Sequence, residues 1–231
     1  MCMFLSSILT TENTFIAMLL MIFAYFSALL LAMSLHEFGH AHAAYKQGDV
    51  TAKALGRYTL APFAHVDISG IIFLIIFGFG WAKPVPVDSR NFKNGRKSEL
   101  IVYSAGILTN IIVGTIFALI YAILSVFVPQ VFVSLGAYGL ALESFLEYMI
   151  VLNFVFAFFN LLPFNGFDGY RLIECITKPN NGFLMFMQRY GFMLLILFAF
   201  TGIISLYINY TAINLADLIL NTFIKLFKLI I

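Results

Sequence analysis

The chain has 231 residues, of which 62% are hydrophobic and 10% charged, with a formal net charge of +2. A soluble domain carries about 25% charged residues, so this composition excludes an ordinary water-soluble fold. The small net charge gives no sign of a nucleic-acid partner.

Four apolar stretches reach the roughly 20 helical residues that a bilayer requires: residues 15–35, 100–128, 145–162 and 192–210. No cleavable leader is expected, because the first ten residues lack Lys and Arg. A shorter apolar run at 71–81 is broken by Gly78 and Gly80. It reads as a re-entrant or short β segment, tolerable only where it is buried in protein or lines a cavity. After it, Trp81-Ala-Lys-Pro-Val-Pro-Val87 is extended, since closely spaced prolines forbid a helix. It is either a rigid connector or an edge that pairs with an unwound peptide.

Basic residues fix an expected orientation. Lys46, Lys53 and Arg57 follow the first span, Lys83 to Lys97 precede the second, and Arg171, Lys178 and Arg189 lie between the third and fourth. Residues 1–14 and 129–144 hold no Lys or Arg. The positive-inside rule then places the N-terminus outside and the basic segments in the cytoplasm. Cys2 and Cys175 fall on opposite sides, so no disulfide is expected between them. Glu143 and Glu147 mark the outer boundary. Near the C-terminus, Asn214, Asp217, Asn221, Lys225 and Lys228 recur every three or four residues, the stripe of an amphipathic helix. With four crossings its two lysines fall outside, against the rule. The expected fold is an all-α polytopic membrane bundle of about four spanning helices, with a re-entrant or short β segment after the first and a C-terminal amphipathic helix. It forms one domain over 1–231, with a core at about 15–180 and C-terminal helices at 187–231.

The chemistry concentrates at His36-Glu-Phe-Gly-His40, directly after 21 residues without a charge. Ionisable side chains at membrane depth are costly and mark function. His36 and His40, four apart on a helix, share a face and can grip one metal ion, with Glu37 as a general base. Gly39 suits close helix approach. A catalytic zinc site takes three protein ligands and leaves one position open. The extended metzincin motif is excluded by Ala43 and Lys46. Candidates for the third ligand on the same side are His42, His65, Asp67, Asp168 and Glu174. His42 points off the metal face, and Asp168 is the best placed. It follows a helix broken by Pro163, Gly166 and Gly169, which can carry side chains back into the protein.

HEFGH together with Asn160-Leu-Leu-Pro-Phe-Asn-Gly-Phe-Asp-Gly169 resembles the paired signatures of the site-2 proteases, intramembrane zinc metalloproteases. The stretches from Ala44 to Gly70, from Gly80 to Phe92, and Ser104-Ala-Gly-Ile-Leu-Thr-Asn110 resemble the minimal prokaryotic subgroup. The resemblance implies one zinc ion per chain on His36, His40 and Asp168, with Glu37 catalytic. Asn160 is implied to position substrate or stabilise the oxyanion, with Pro163 beside it. It further implies a transmembrane or membrane-anchored protein substrate in a lipid bilayer and an active site toward the cytoplasm. Asn165 and Ile107 stand where the family often has proline, but neither departure removes a ligand or the base. Asn153, seven residues before Asn160, lines the same cleft or serves as interhelical glue. His65 and Asp67 are expected to form a hydrogen-bonded pair. Two alternatives stay open: another HExxH membrane protease with Glu174 as third ligand, and a non-proteolytic membrane protein that handles metal.

Overall fold

The computed structural model describes residues 14–70, 82–178 and 181–230. The expected re-entrant segment at 71–81 and Cys2 lie outside the described residues. Among the described residues, five helices are long and apolar enough to cross a membrane and no strand occurs.

Helix α1 runs Thr14–Gln47, so the 15–35 stretch and HEFGH belong to one continuous rod. A single turn, α2 (Thr51–Ala54), follows it. Then come α3 (Arg96–Phe127), the short α4 (Gln130–Ser134) and α5 (Ala137–Asn160). Helix α6 (Asp168–Ile176) is short and strongly amphipathic. Helix α7 spans Gly182–Phe200. Helix α8 (Ile203–Ile208) passes through a π turn (Asn209–Ile213) into α9 (Asn214–Lys228).

The core is the pairwise packing of α1, α3 and α5, with α9 laid against α3. Lipid tails are as apolar as leucine, so helices in a bilayer associate through close packing rather than through water exclusion. The sequence supplies small residues for this. Helix α1 buries Ala17, Ala24, Ala28 and Ala32, and α3 buries Gly106, Asn110, Gly114, Ala118 and Ala122 at every fourth position. A side chain at Gly39 would strike Thr109 and the Ala105 carbonyl, so the motif glycine lets α1 and α3 approach. Phe154, fully buried, fills the groove over Gly114.

The expected 192–210 span is corrected. Gly202 adopts φ 78° and turns the chain between α7 and α8. Backbone N–H groups of Thr201 and Gly202 close on the Leu197 and Ala199 carbonyls. The apolar run therefore straddles a corner, and the fifth candidate span is the unit Ile203–Lys228, which carries the polar stripe. Hydropathy does not register such a corner because glycine is common inside membrane helices.

After α5 the chain reverses within seven residues and enters α6 at Asp168. This reversal brings Gly169 so close to the end of α5 that a Cβ there would overlap the Leu161 carbonyl and lie 2.8 Å from that of Leu162. Backbone cannot yield as a flexible side chain can. Gly169→Ala is expected to destabilise the protein by about 1–3 kcal/mol and to lower its zinc content, read by thermal unfolding in detergent and by metal analysis.

Candidate metal centre

His36 and His40 project from the last turns of α1, and α6 delivers Asp168 to them from its first turn. The distances are 3.1 Å from His36 Nε2 to His40 Nε2, and 3.3 and 3.2 Å from these atoms to Asp168 Oδ2. Both histidines are buried.

The protein dictates what those facing atoms carry. Asn110 Nδ2 donates to the Ala32 carbonyl (3.2 Å) and to Asn153 Oδ1 (2.8 Å), so its Oδ1 is the atom turned to His36 Nδ1 at 2.6 Å. His36 Nδ1 must therefore donate. His40 Nδ1 likewise donates to the Val102 carbonyl at 2.8 Å. With the Nδ1 protons committed there, each ring in its neutral, metal-binding form presents its Nε2 lone pair to the other and to a carboxylate oxygen. Asp168 Oδ2 is itself buried with no hydrogen-bond partner. Three electron-rich atoms so close repel one another unless a proton or a metal cation lies among them, and the three converge as ligands to one ion would. Tetrahedral zinc with bonds of about 2.0–2.1 Å separates neighbouring ligands by about 3.3–3.4 Å, close to the separations seen. The donor set of two imidazoles and one carboxylate fits that ion, and Gly106 leaves the room, since a Cβ there would collide with both rings.

Glu37 is buried beside this triangle, and its Oε2 accepts the Val85 N–H at 2.8 Å. A cavity of ≈ 610 Å³ opens onto Glu37, both histidines and Asp168. Its walls include Pro84, Val85 and Val87 of the extended segment, Tyr103 of α3, and Asn160 at the end of α5.

The other sequence candidates are distributed as follows. Asn160 lines the cavity, with one amide N–H on the Phe156 carbonyl at 3.0 Å. Pro163 is not among the lining residues, whereas Asn165, Gly166 and Phe167 are. Of the two readings of Asn153, the contacts favour the interhelical one over a substrate contact. Its side chain is fully buried behind Asn110, accepting from it and donating to the Met149 carbonyl at 2.7 Å. The expected His65–Asp67 pair is corrected: His65 Nε2 meets the Thr59 carbonyl at 2.9 Å, and Asp67 accepts from the Ser69 and Gly70 N–H groups. His42 is exposed and bonded to Tyr58, and Glu174 is paired with Arg171, so neither joins the triangle. Asn110 and Val85, which the sequence reading named only within longer stretches, are the residues that bond His36 and Glu37. The available signal for Asn110 was its four-residue spacing from Gly106 on the buried face of α3.

Fold and site together define a membrane-embedded metalloprotease of the HExxH type. A Bacillus subtilis (strain 168) protein named "Putative zinc metalloprotease YwhC" is 36% identical to the chain over 202 residues, 87% of this chain and 90% of that protein. "Putative zinc metalloprotease Rip2" of Mycolicibacterium smegmatis is 28% identical over 178 residues, 74% of this chain and 64% of that protein. Its namesake from Mycobacterium tuberculosis (strain H37Rv) is 30% identical over 158 residues, 66% and 56% of the two chains. No protein-family model matches the chain, and no solved structure matches it. The chain belongs to the site-2 protease family of zinc metalloproteases.

Outer hydrogen bonds of metal-ligating histidines typically contribute about 10–100-fold to affinity. Asn110→Ala is expected to weaken zinc binding by about that factor, measured by competition with a chromophoric chelator. Asp168→Ala should abolish zinc retention through purification, while Glu174→Ala should leave it unchanged.

Proposed function

We propose that this metalloprotease hydrolyses peptide bonds of transmembrane or membrane-anchored proteins at a site within the bilayer, reached from the cytoplasm. The observation that carries this reading is the ligand triangle with Glu37 beside it, set more than 20 residues into a continuous helix that begins as an uncharged membrane span. Each residue of a helix rises about 1.5 Å, so the triangle lies about 30 Å along the rod, near the far edge of the hydrocarbon.

Zinc, when bound by His36, His40 and Asp168, supplies Lewis-acid chemistry that acidifies water and polarises a carbonyl. Glu37 takes a proton from the attacking water and returns it to the departing amine. Its Oε2 is occupied by the Val85 N–H, which leaves Oε1 for that exchange. Asn160, at the cavity wall, has a second amide N–H for the oxyanion that develops at the scissile carbonyl. Asn165, in the adjoining wall, contributes to substrate fit.

A helical carbonyl is already hydrogen-bonded, so the substrate must unwind before its peptide bond is attacked. Substrates with helix-weakening residues near the cut are favoured. The extended segment 82–88 lies along the cavity, which favours its reading as a surface for unwound substrate over that of a plain connector. The fifth candidate span supports the cytoplasmic orientation. If Ile203–Lys228 crosses, Lys225 and Lys228 fall on the same side as the other basic segments, and the conflict left by four crossings disappears.

The test compares wild type with Glu37→Gln. The variant should retain zinc and lose at least about 10²-fold in turnover, with uncleaved single-span proteins accumulating in cells that carry it. A wild type that copurifies without zinc and leaves every such protein intact would sink the proposal. Removing the metal with a chelator should abolish cleavage, and added zinc should restore it.

A further inference from the structure

The carboxylate of Glu37 is held by a backbone group on a segment far away in sequence, and that segment is itself fixed in an unusual way. Pro84 and Pro86 have no N–H, so between residues 83 and 87 only Lys83, Val85 and Val87 can donate. Lys83 N–H donates to the His65 carbonyl at 2.8 Å, and Val85 N–H donates to Glu37. The carbonyls of Lys83 and Pro84 accept from Arg57 Nη2 at 2.7 and 3.3 Å. Beyond the second proline, Asp88 N–H donates to Asp49 Oδ2 at 2.8 Å. The side chain of Val85 packs against Ala41 of α1 and Ala52 of α2.

Asp49 is 1% exposed, a buried carboxylate two residues past the end of α1. Its Oδ1 serves the local turn, accepting from the Thr51 N–H and hydroxyl, and also from Asn91 Nδ2 at 3.0 Å. Its Oδ2 does nothing for that turn. Its contact is with Asp88, at the far end of the 82–88 segment. Burial pushes the Asp49 pKa up, but the hydrogen bonds from Thr51, Asn91 and Asp88 outweigh it and hold the group below the usual carboxylate range. It is therefore a charged acceptor, and such bonds are short and strong.

We propose that Asp49 is a positioning residue for Glu37, acting through the 82–88 strap whose Val85 N–H fixes one oxygen of the general base. Asp49 and Glu37 stand on the same rod, α1 and its immediate continuation. The strap thus closes a loop from α1 back to α1, and the base is registered against its own helix. This rests on the general-base reading of Glu37 given above.

The variants separate a positioning role from a structural one. Asp49→Asn keeps the shape and Oδ1 but turns a donor toward the Asp88 N–H. Val85→Pro deletes the N–H on Glu37 within a segment already extended, and Val85→Ala keeps that N–H while trimming the side chain. With purified zinc-loaded protein and a single-span substrate, Asp49→Asn should lower kcat about tenfold, and Val85→Pro about 10–100-fold. Zinc stoichiometry should stay within twofold, any rise in KM should accompany the fall in kcat because the strap also borders the cavity, and Val85→Ala should affect kcat least. The double variant Asp49→Asn/Val85→Pro should be no slower than Val85→Pro alone. Multiplying penalties, an effect on KM only, or loss of zinc would overturn the inference. Should Asp49→Asn not fold, Asp88→Pro removes the other half of the same bond, and an unchanged kcat there overturns the inference equally.

A readout free of catalysis distinguishes this failure from that of the protease reading. Deuterium uptake over residues 83–87 reports only Lys83, Val85 and Val87, because the prolines have no amide. It should rise in Asp49→Asn and in Glu37→Ala while α3 and α5 stay protected. Unchanged uptake in both would overturn the strap inference. A wild type that cuts nothing would instead overturn the protease reading, with the uptake result still deciding the strap.

Discussion

Two imidazole lone pairs and a carboxylate oxygen point at one another at 3.1–3.3 Å in a buried place, and most of the architecture serves to keep them there. Each ring is turned by the bond its other nitrogen makes, to Asn110 in one case and to the Val102 carbonyl in the other. Asn110 is turned in its place by Ala32 and Asn153, and Asn153 by Met149. A polar chain thus crosses the bundle from α1 through α3 to α5, with every member paired. In hydrocarbon an unpaired polar group is costly, so the chain has one low-energy arrangement. The small residues that bring the three helices together are therefore part of the site, because without that proximity the relay could not close.

The acid–base half of the site is built differently. Glu37 is oriented by backbone on an extended segment, and the two prolines restrict which amides that segment can offer. A backbone donor has no rotamers, so it fixes the carboxylate at little entropic cost. The candidate metal ligands are thus held by side chains within the helix bundle, while the proposed base is held by main chain. The cavity lies between these two supports.

How much of this was legible in the sequence follows from the range of each signal. His36, Glu37 and His40 could be read because a four-residue spacing encodes a shared helix face within one turn. Asp168 could be read because proline and glycines mark the reversal that returns it to the core. Asn110 could be placed on a buried helix face by its spacing from Gly106 but not given its contact with His36, since that depends on the register between α1 and α3, which no local pattern records. Asn153 could not be decided between cleft and helix contact for a related reason. Seven residues do place it on the face of Asn160, but two turns displace it about 10 Å along the helix, where that face meets α3 instead of the cavity. Gly202 escaped notice because a hydropathy window averages across a corner. The link from Asp49 to Asp88 was invisible because it joins loops 39 residues apart.

The provenance of the three candidate ligands would give a bound metal a second part to play. Two come from α1, locked into the bundle, and the third from α6, a nine-residue helix beyond a broken turn that packs on α3. Filled, the site is a cross-link between distant parts of the chain, comparable in its effect on the unfolded ensemble to a long-loop disulfide. Catalysis and architecture then share one bond set, so a metal-free copy would lose the tether that seats α6 along with its activity.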